Sequence, residues 1–267
     1  MDEREELNNV MIYRDNDTRD KEIRVYDTGT VLQSATYTDE DSRYELVFEY
    51  MKQFNRAFEV NPEAKTVMLF GGAGYAYPKY VISHYPDVSI DVVEIDPQAY
   101  QTACQFFYFD QLIKDYDLEN NDRFRNIIRD ARDYIYQADR KYDIIIDDAF
   151  VDVEPVYSLL TIESFRQIKS LLTDKGQLVI NLSGFRKIDQ TYYLLDVLKT
   201  LQEVFANVTV LKAFFYKYTR TGNYVIIASD KPIPLENTVR YNTDTAGIIT
   251  RKNIGTLQRK FDLFLNK

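Results

Sequence analysis

The sequence predicts an α/β fold built on a mostly parallel sheet. From residue 65 onward, strand-like and helix-like segments alternate, which is typical of βαβ units. The last two strand-like segments follow one another without a helix, so the sheet should end in an antiparallel hairpin. At 267 residues, the length fits one large α/β domain with an appendage better than two equal domains.

Apolar runs bounded by turn residues define the core elements. The predicted parallel strands are residues 66–70, 89–93, 124–128, 142–146 and 177–180. Helices are predicted at residues 97–107, 162–172 and 192–205. The closing hairpin would pair residues 208–214 with 224–229 around the turn Thr221-Gly222-Asn223, and a last helix would cover 254–264.

The N-terminal quarter differs in pattern. Residues 1–21 are mostly polar and charged, so we expect a solvated tail. Residues 22–26 and 31–37 flank the turn-rich quartet Asp27-Thr28-Gly29-Thr30 and predict a β-hairpin, followed by a linking helix at 44–58. The expected domains are therefore 1–60, with the tail, hairpin and linking helix, and 61–267, with the core and a C-terminal segment.

Composition disfavours several classes of function. With 33 basic and 42 acidic residues, the net charge of −9 disfavours nucleic-acid binding. No stretch approaches 18 apolar residues, so we expect no membrane span. A single cysteine, Cys104, and a single histidine, His84, make a zinc site or a catalytic triad unexpected. Without a signal-peptide pattern at the start, the cytoplasm is the expected compartment.

A cofactor site is predicted where the first core strands end. Gly71-Gly72-Ala73-Gly74 follows the first strand, where glycines let a ligand approach the backbone closely. Glu94 ends the second strand, about 20 residues further on, where an acid accepts hydrogen bonds from ribose hydroxyls. The nicotinamide pattern G-x-G-x-x-G fails at Tyr77, which is too bulky for its last position.

Further acids follow the next two strands. Asp130-Ala131 ends the third strand, and Asp130 could receive an adenine amino group, cap a helix, or do both. Asp147 and Asp148 end the fourth strand, where ligands of open α/β sheets bind. Since neighbouring side chains of a strand point to opposite faces, we expect only one of the two in the pocket.

These residues together resemble the bacterial spermidine synthase-like branch of the spermidine synthase family, within the superfamily of class I S-adenosylmethionine-dependent methyltransferases. The similarity runs from about residue 23 to 229 and rests on Leu32-Gln33-Ser34, Tyr44, the Gly71 loop, Val93-Glu94-Ile95-Asp96, Asp130-Ala131, Tyr142-Asp143-Ile144-Ile145 and Leu160-Thr161-x-Glu163-x-Phe165. It implies a Rossmann-like class I methyltransferase fold with a small N-terminal β-hairpin domain.

The resemblance also implies roles for individual residues. Gln33 and Glu94 would contact the ribose side of an S-adenosylmethionine-type cofactor, and Asp130 the adenine. Tyr44 and Asp148 would face an amine acceptor, with Asp148 as the base.

Two positions depart from the family pattern. Aminopropyltransferases carry an acid in the glycine loop, which receives the ammonium of decarboxylated S-adenosylmethionine, and this chain has Gly74 there. Their second acid after the fourth strand is replaced by Val151, with Asp152 one residue out of register. Glu45 could supply a substitute charge, although an exposed helix glutamate is the alternative.

The departures favour a transferase that uses S-adenosylmethionine itself to methylate a small acceptor, an amine being one candidate. In this interpretation the glycine loop, Glu94 and Asp130 hold the nucleoside, and Asp148 orients or deprotonates the acceptor. The residues expected to wall the pocket are Tyr44, Phe150 and Tyr157. The alternatives are aminopropyl transfer from decarboxylated S-adenosylmethionine to a diamine, and a catalytically silent nucleoside-binding protein. A homodimer is compatible with the sequence.

Overall fold

The N-terminal part of the protein is a small antiparallel sheet. The computed structural model describes residues 5–7, 10–17, 20–185, 191–213 and 221–265. Four strands pair in sequence order, namely β1 (Glu5–Leu7), β2 (Val10–Asn16), β3 (Glu22–Asp27) and β4 (Leu32–Tyr37). The predicted hairpin is confirmed as β3 and β4. The expectation of a solvated tail is wrong for residues 10–16, because β2 pairs with β3 and buries Ile12 against Tyr26, Phe106 and Phe107.

The linking helix is shorter than predicted and is broken in two. Helix α1 spans Glu49–Phe54 and α2 spans Arg56–Val60, with Asn55 between them. The five residues before α1 do not continue the helix. One reason is that the Arg43 carbonyl accepts from Thr36 Oγ1 and from Lys79 Nζ, both at 3.0 Å, rather than from a helical amide.

The core is a seven-stranded sheet in the order β12-β13-β11-β8-β5-β6-β7. Its strands are β5 (Thr66–Phe70), β6 (Ser89–Glu94), β7 (Phe124–Ile128), β8 (Tyr142–Asp147), β11 (Leu172–Phe185), β12 (Asn207–Ala213) and β13 (Thr221–Ser229). Strands β11, β8, β5, β6 and β7 are parallel, whereas β13 is antiparallel to both neighbours. The predicted Rossmann-like fold with an antiparallel end is therefore confirmed.

Helices cover both faces of this sheet. They are α3 (Ala76–His84), α4 (Pro97–Phe106), α5 (Phe109–Asp115), α6 (Ala131–Tyr134), α7 (Ile162–Ser170), α8 (Tyr192–Gln202) and α9 (Ile254–Leu265). Successive residues of β5 point to opposite faces and join two separate cores, Met68 and Phe70 in one, Val67 and Leu69 in the other. Because helices cover both faces of the sheet, a ligand can reach it only at the strand ends, and in open α/β sheets it binds at the carboxyl ends.

The carboxyl end of the sheet departs from the predicted elements in two places. The segment 221–223, predicted as a turn, is extended, because it pairs with Ser183–Phe185 of β11. Phe214, the predicted end of the preceding strand, lies outside the described residues. After β8 the chain forms a small hairpin of β9 (Phe150–Val151) and β10 (Glu154–Pro155), then a 3-10 turn (Tyr157–Leu159). Over the described ranges, no helix is long and apolar enough to cross a bilayer.

Candidate active site

A cavity of about 750 Å³ opens at the carboxyl ends of β5, β6, β7 and β8. The N-terminal sheet and the β9–β10 hairpin complete its wall. Nine of the residues singled out from the sequence line it: Gln33, Gly71, Gly72, Glu94, Asp130, Ala131, Asp148, Phe150 and Asp152. The structure thus brings together residues that are up to 119 positions apart, since β5, β6, β7 and β8 end at this edge and β4 of the N-terminal sheet begins beside it.

The glycine loop is wound tightly against the neighbouring strand ends. Gly71 has φ +87°, a conformation that L side chains rarely adopt. A Cβ at this position would lie 2.7 Å from the backbone oxygen of Asp148. Gly71 N–H donates to the carbonyl of Val93 at 3.0 Å. The loop therefore fixes the distance between the ends of β5, β6 and β8.

Glu94 is the anchor of this loop. Its Oε2 accepts from the amides of Gly72 at 2.6 Å and Ala73 at 3.3 Å, and its Oε1 accepts from the amide of Asp96 at 2.9 Å. The residue is only 8 % exposed. An ionised carboxylate offers about four acceptor positions, so Glu94 keeps room for a hydroxyl donor beside three amide donors.

Asp130 caps the short helix α6, and its side chain borders the cavity. Its Oδ1 accepts from the amide of Arg132 at 2.7 Å. The helix-capping alternative from the sequence is thus present in the structure. The second carboxylate oxygen leaves a position for a ligand donor at the same place.

Asp148 lies on the cavity floor and is held by two donors. Asn181 of β11 donates to Oδ1 at 2.7 Å, and the hydroxyl of Tyr50 on α1 donates to Oδ2 at 3.4 Å. The side-chain NH₂ of Asn223 on β13 donates to Asn181 Oδ1 at 3.0 Å. Asn223 thereby fixes the orientation in which Asn181 presents its NH₂ group to the carboxylate.

The two adjacent acids of β8 have different surroundings. Burial raises the pKa of both Asp147 and Asp148 to about 7. Asp147 is 4 % exposed and accepts only a long hydrogen bond from the Ala149 amide at 3.3 Å. Asp148 faces the cavity, and the charge of Asp147 adds to its upward shift while Asn181 and Tyr50 oppose it. A carboxylate with a pKa near neutrality is suited to accept a proton.

Asp152 connects the two rims of the cavity. It forms the turn of the β9–β10 hairpin with φ 54°, a region that Asp tolerates better than most residues. Its Oδ1 accepts from the hydroxyls of Thr30 at 2.9 Å and Thr28 at 3.4 Å, both in the turn between β3 and β4.

Four predicted residues lie elsewhere. Tyr44 donates from its hydroxyl to Asp115 Oδ2 at 2.6 Å, away from the cavity. Glu45 Oε1 is 3.0 Å from His84 Nε2 on the exposed surface. Tyr157 packs against Phe261 of α9, with ring centroids 6.0 Å apart. None of these residues lines the cavity. The expectation that Tyr44 and Tyr157 form its wall, and that Glu45 supplies a charge there, is therefore corrected.

Gly74 is the fourth predicted site residue that does not line the cavity, and its close packing accounts for a glycine at this position. A Cβ at this position would lie 2.6 Å from Ser34 Oγ and 2.8 Å from Ser34 Cβ on β4. Any side chain here would displace the hairpin, so close packing alone is sufficient to require glycine.

The polar residues around Asp148 were missed by sequence reasoning. Tyr50 fell within the predicted linking helix with no role of its own, and Asn223 fell within the predicted turn. Asn181 had a usable signal, because it interrupts the apolar run of β11 directly beside the end of β8.

Charge is distributed unevenly around the cavity. Among the described residues that line it, five are carboxylates and one is a guanidinium: Glu94, Asp96, Asp130, Asp148 and Asp152 against Arg129. Arg129 donates a hydrogen bond to Gln137. The cavity therefore favours cationic ligands.

A nucleoside-sized cavity at this sheet edge, with an acid ending each of β6, β7 and β8, defines a class I methyltransferase-like protein. The Spermine/spermidine synthase domain matches residues 47–238, and the chain belongs to this family. It is 32% identical over 164 residues to the polyamine aminopropyltransferase of Vibrio vulnificus, covering 60% of this chain and 51% of that one. The chain thus spans about half the length of this relative.

Two further comparisons extend the similarity. The structure aligns with a probable spermidine synthase from Corynebacterium glutamicum with a TM-score of 0.65 at 20% identity, covering 97% of this chain and 86% of that one. The human eEF1A lysine and N-terminal methyltransferase is 31% identical over 130 residues, covering 43% of this chain and 17% of that one. The first likeness supports the fold, and the second relative transfers a different group.

Proposed function

We propose that the protein transfers the aminopropyl group of decarboxylated S-adenosylmethionine to an amine nitrogen of a small polycationic acceptor. The observation that carries this proposal is the charge of the cavity, five carboxylates against one guanidinium that is already hydrogen-bonded. The family membership and the polyamine aminopropyltransferases among the relatives support the same reaction.

The two candidate donors differ in charge. Decarboxylated S-adenosylmethionine carries a sulfonium and an ammonium, whereas S-adenosylmethionine also carries a carboxylate. Two unit charges 4 Å apart interact by about 4 kcal/mol at an effective dielectric constant near 20. A carboxylate placed among these acids would be repelled, whereas the sulfonium and ammonium of the decarboxylated donor and a diamine acceptor would be attracted.

In the proposed complex, Glu94 accepts from the ribose hydroxyls and Asp130 from the adenine amino group, while Gln33 contacts the ribose from the N-terminal sheet. Gly71, Gly72 and Ala131 allow close approach of the nucleoside. Phe150 and Asp152 would lie at the acceptor end.

Asp148 prepares the acceptor in this scheme. An ammonium has no lone pair, so the attacking nitrogen must first lose a proton, which Asp148 accepts. The nitrogen lone pair then attacks the carbon bonded to the sulfonium. As the new C–N bond forms, the C–S bond breaks and its electron pair stays on sulfur, which leaves neutral methylthioadenosine. The hydrogen bonds from Tyr50 and Asn181 fix the orientation of the Asp148 carboxylate, and so define where the attacking nitrogen must lie to give up its proton.

Methyl transfer from S-adenosylmethionine, which the two departures from the family pattern favour, is the second candidate. It is favoured by Val151, which stands where polyamine-forming members carry their second acid. Gly74 supports it less than expected, because packing against Ser34 already requires a glycine there.

Calorimetric titration and product analysis distinguish the two reactions. Decarboxylated S-adenosylmethionine, S-adenosylmethionine and methylthioadenosine are titrated in parallel, and mass spectrometry follows the products with 1,4-diaminobutane. We expect the decarboxylated donor to bind at least about tenfold more tightly and to yield an aminopropylated amine. Tighter binding of S-adenosylmethionine together with a methylated product would establish the second candidate. Binding of methylthioadenosine without turnover of either donor would indicate a silent nucleoside-binding protein.

A further inference from the structure

A second cavity, of about 640 Å³, lies beside the first turn of α6. Ala131 lines the central cavity, and the next residue, Arg132, lines this second one. We call it the arginine pocket and define it by Arg132, Tyr136, Ser158, Thr161 and Arg251. The proposed transfer reaction uses none of these residues.

Two guanidinium groups converge in the arginine pocket on one aromatic ring. The Cζ atoms of Arg132 and Arg251 lie 4.4 Å and 5.4 Å from the centroid of Tyr136. Arg251 Nη2 also donates to the Tyr136 hydroxyl at 2.5 Å. Stacking on a tyrosine face orients a planar guanidinium and leaves N–H groups at its edge for a ligand.

Neither guanidinium has a carboxylate partner within 4.0 Å in the described part of the chain. Other arginines of this acidic protein do find one, since Arg125 and Arg140 both pair with Asp91. Burial has the largest effect on the pKa of Arg132 and lowers it; the nearby charge of Arg251 lowers it further, whereas Tyr136, Glu163 and Asp133 raise it. The two guanidiniums repel each other, and among the described residues no acid forms a close ion pair with either of them.

The acids around the arginine pocket act on its guanidiniums only from a distance. Asp133 lines the pocket as its one described carboxylate. Glu163 lies beside it and accepts from the backbone amide of Arg251 at 3.2 Å rather than from its side chain. The Ser158 side chain adds a hydroxyl group to the wall. Thr161 is fully buried, and its hydroxyl caps the nine-residue helix α7 through the Ser164 amide.

We propose that the arginine pocket binds a phosphate group, either as free phosphate or as part of a small phosphomonoester. Two guanidiniums match the charge of a dianion, and each can donate two parallel hydrogen bonds to phosphate oxygens. A carboxylate ligand would satisfy only one of them. The Ser158 hydroxyl can donate to a further phosphate oxygen.

Calorimetric titration at constant ionic strength tests this site. Inorganic phosphate and phenyl phosphate are titrated into protein saturated with methylthioadenosine, so that the central cavity is occupied, and sodium chloride is the ionic control. We expect both phosphates to bind and chloride not to bind. Tighter binding of phenyl phosphate would identify an organic phosphate as the ligand, and equal or tighter binding of inorganic phosphate would identify the free ion.

Matched variants locate the binding. Arg132→Gln and Arg251→Gln should each weaken phosphate binding by at least about tenfold, whereas Arg166→Gln, an exposed arginine on α7 outside the pocket, should change it less than about twofold. Methylthioadenosine binding and the melting temperature check that each variant is folded, and either variant alone decides if the other fails to fold. The proposal would be overturned if titration with phosphate gave the same heats as titration with chloride, or if both arginine variants bound phosphate with wild-type affinity. The readout is independent of transferase activity, so it does not depend on the proposed function.

Discussion

Asp148 is held by a hydrogen-bond network of side chains from three different elements. Asn181 belongs to β11, Tyr50 to α1, and Asn223, which fixes Asn181, to β13. Both direct hydrogen bonds lower the pKa of Asp148, against the larger upward effect of burial. The acid strength of the proposed base is therefore set by residues that do not contact the reacting atoms.

Replacing Asn181 should move the pH dependence of turnover. Asn181→Leu removes a donor that stabilises the carboxylate, so the pKa of Asp148 should rise and the acidic limb of the rate profile should shift to higher pH. Asn223→Ala should give a smaller shift in the same direction. It keeps the Asn181 donor and removes only the hydrogen bond that orients the Asn181 side chain. A loss of rate that is equal at all pH values would indicate a purely structural role.

The two acids at the end of β8 should respond differently to amide substitution. Asp148→Asn should reduce kcat by at least about 10²-fold with little change in cofactor affinity. Asp147→Asn should leave the rate nearly unchanged. At pH values above 7 it should melt at a higher temperature than the wild type, which must bury an ionised Asp147 under those conditions. Because its folded pKa is raised to about 7, Asp147 costs the wild type stability as pH rises from its unfolded value toward 7. Reversed behaviour of the two variants would contradict this assignment.

Glu94 combines a structural role with its proposed ribose contact. Glu94→Ala should weaken methylthioadenosine binding by about 1 to 3 kcal/mol, since ribose hydroxyls lose a charged acceptor. The variant should also melt at lower temperature, because the Gly72, Ala73 and Asp96 amides lose their acceptor. Calorimetry measures the first effect and thermal unfolding the second. Unchanged affinity in a folded variant would rule out the ribose contact.

At the scale of elements, the β9–β10 hairpin is tied to the β3–β4 turn across the cavity mouth. The tie consists of the Asp152 carboxylate and the two threonine hydroxyls. Since the two sides belong to separate sheets, this contact sets how closely the rims approach. Asp152 could also contact an acceptor ammonium directly, and substitutions on the two sides distinguish these roles.

Thr30→Val removes one hydroxyl donor and keeps the side-chain shape. If Asp152 acts only by closing the rim, Thr30→Val and Asp152→Ala should raise the KM of the acceptor by similar factors of about 2 to 10, consistent with loss of a charged hydrogen bond. If Asp152 binds the acceptor, Asp152→Ala should have the larger effect. Steady-state kinetics with 1,4-diaminobutane measures both, and no change in either variant would exclude a role for the tie.

The sequence predicted the parallel strands well because most are apolar segments bounded by turn residues, although β7 (Phe124–Ile128) includes Arg125 and Asn126. It failed for β2, whose charged residues hide the buried Ile12 in a segment that forms a strand only by pairing with β3. The cofactor side of the cavity was predictable, since Glu94, Asp130 and Asp148 each follow a strand. The partners of Asp148 were not, because Asn181 and Asn223 reach it only through the pairing of distant strands.

At the scale of the whole molecule, a buried lysine joins the N-terminal sheet to the core. Lys79 of α3 is 1 % exposed. Its Nζ donates to Thr36 Oγ1 at 2.7 Å, the Arg43 carbonyl at 3.0 Å and the Phe107 carbonyl at 2.7 Å. All three acceptors are neutral, so burial, together with the charges of Arg43 and Arg24, lowers the pKa of Lys79 to about 7.

Because of this lysine, the free energy of unfolding should change with pH in the alkaline range. Above pH 7 the folded protein releases the Lys79 proton, whereas the unfolded chain keeps it up to the ordinary lysine pKa of 10.5. Because the unfolded state then binds more protons, the free energy of unfolding should rise with pH over this interval, by at most about 1.4 kcal/mol per pH unit. Lys79→Met should abolish that rise, although its absolute stability also changes because three acceptors lose a donor. Denaturant unfolding between pH 6 and pH 10 measures the slope, with the exposed Lys65→Met as the matched control. Equal slopes in Lys79→Met and the wild type would show that Lys79 stays protonated when buried, held by its three oxygen acceptors.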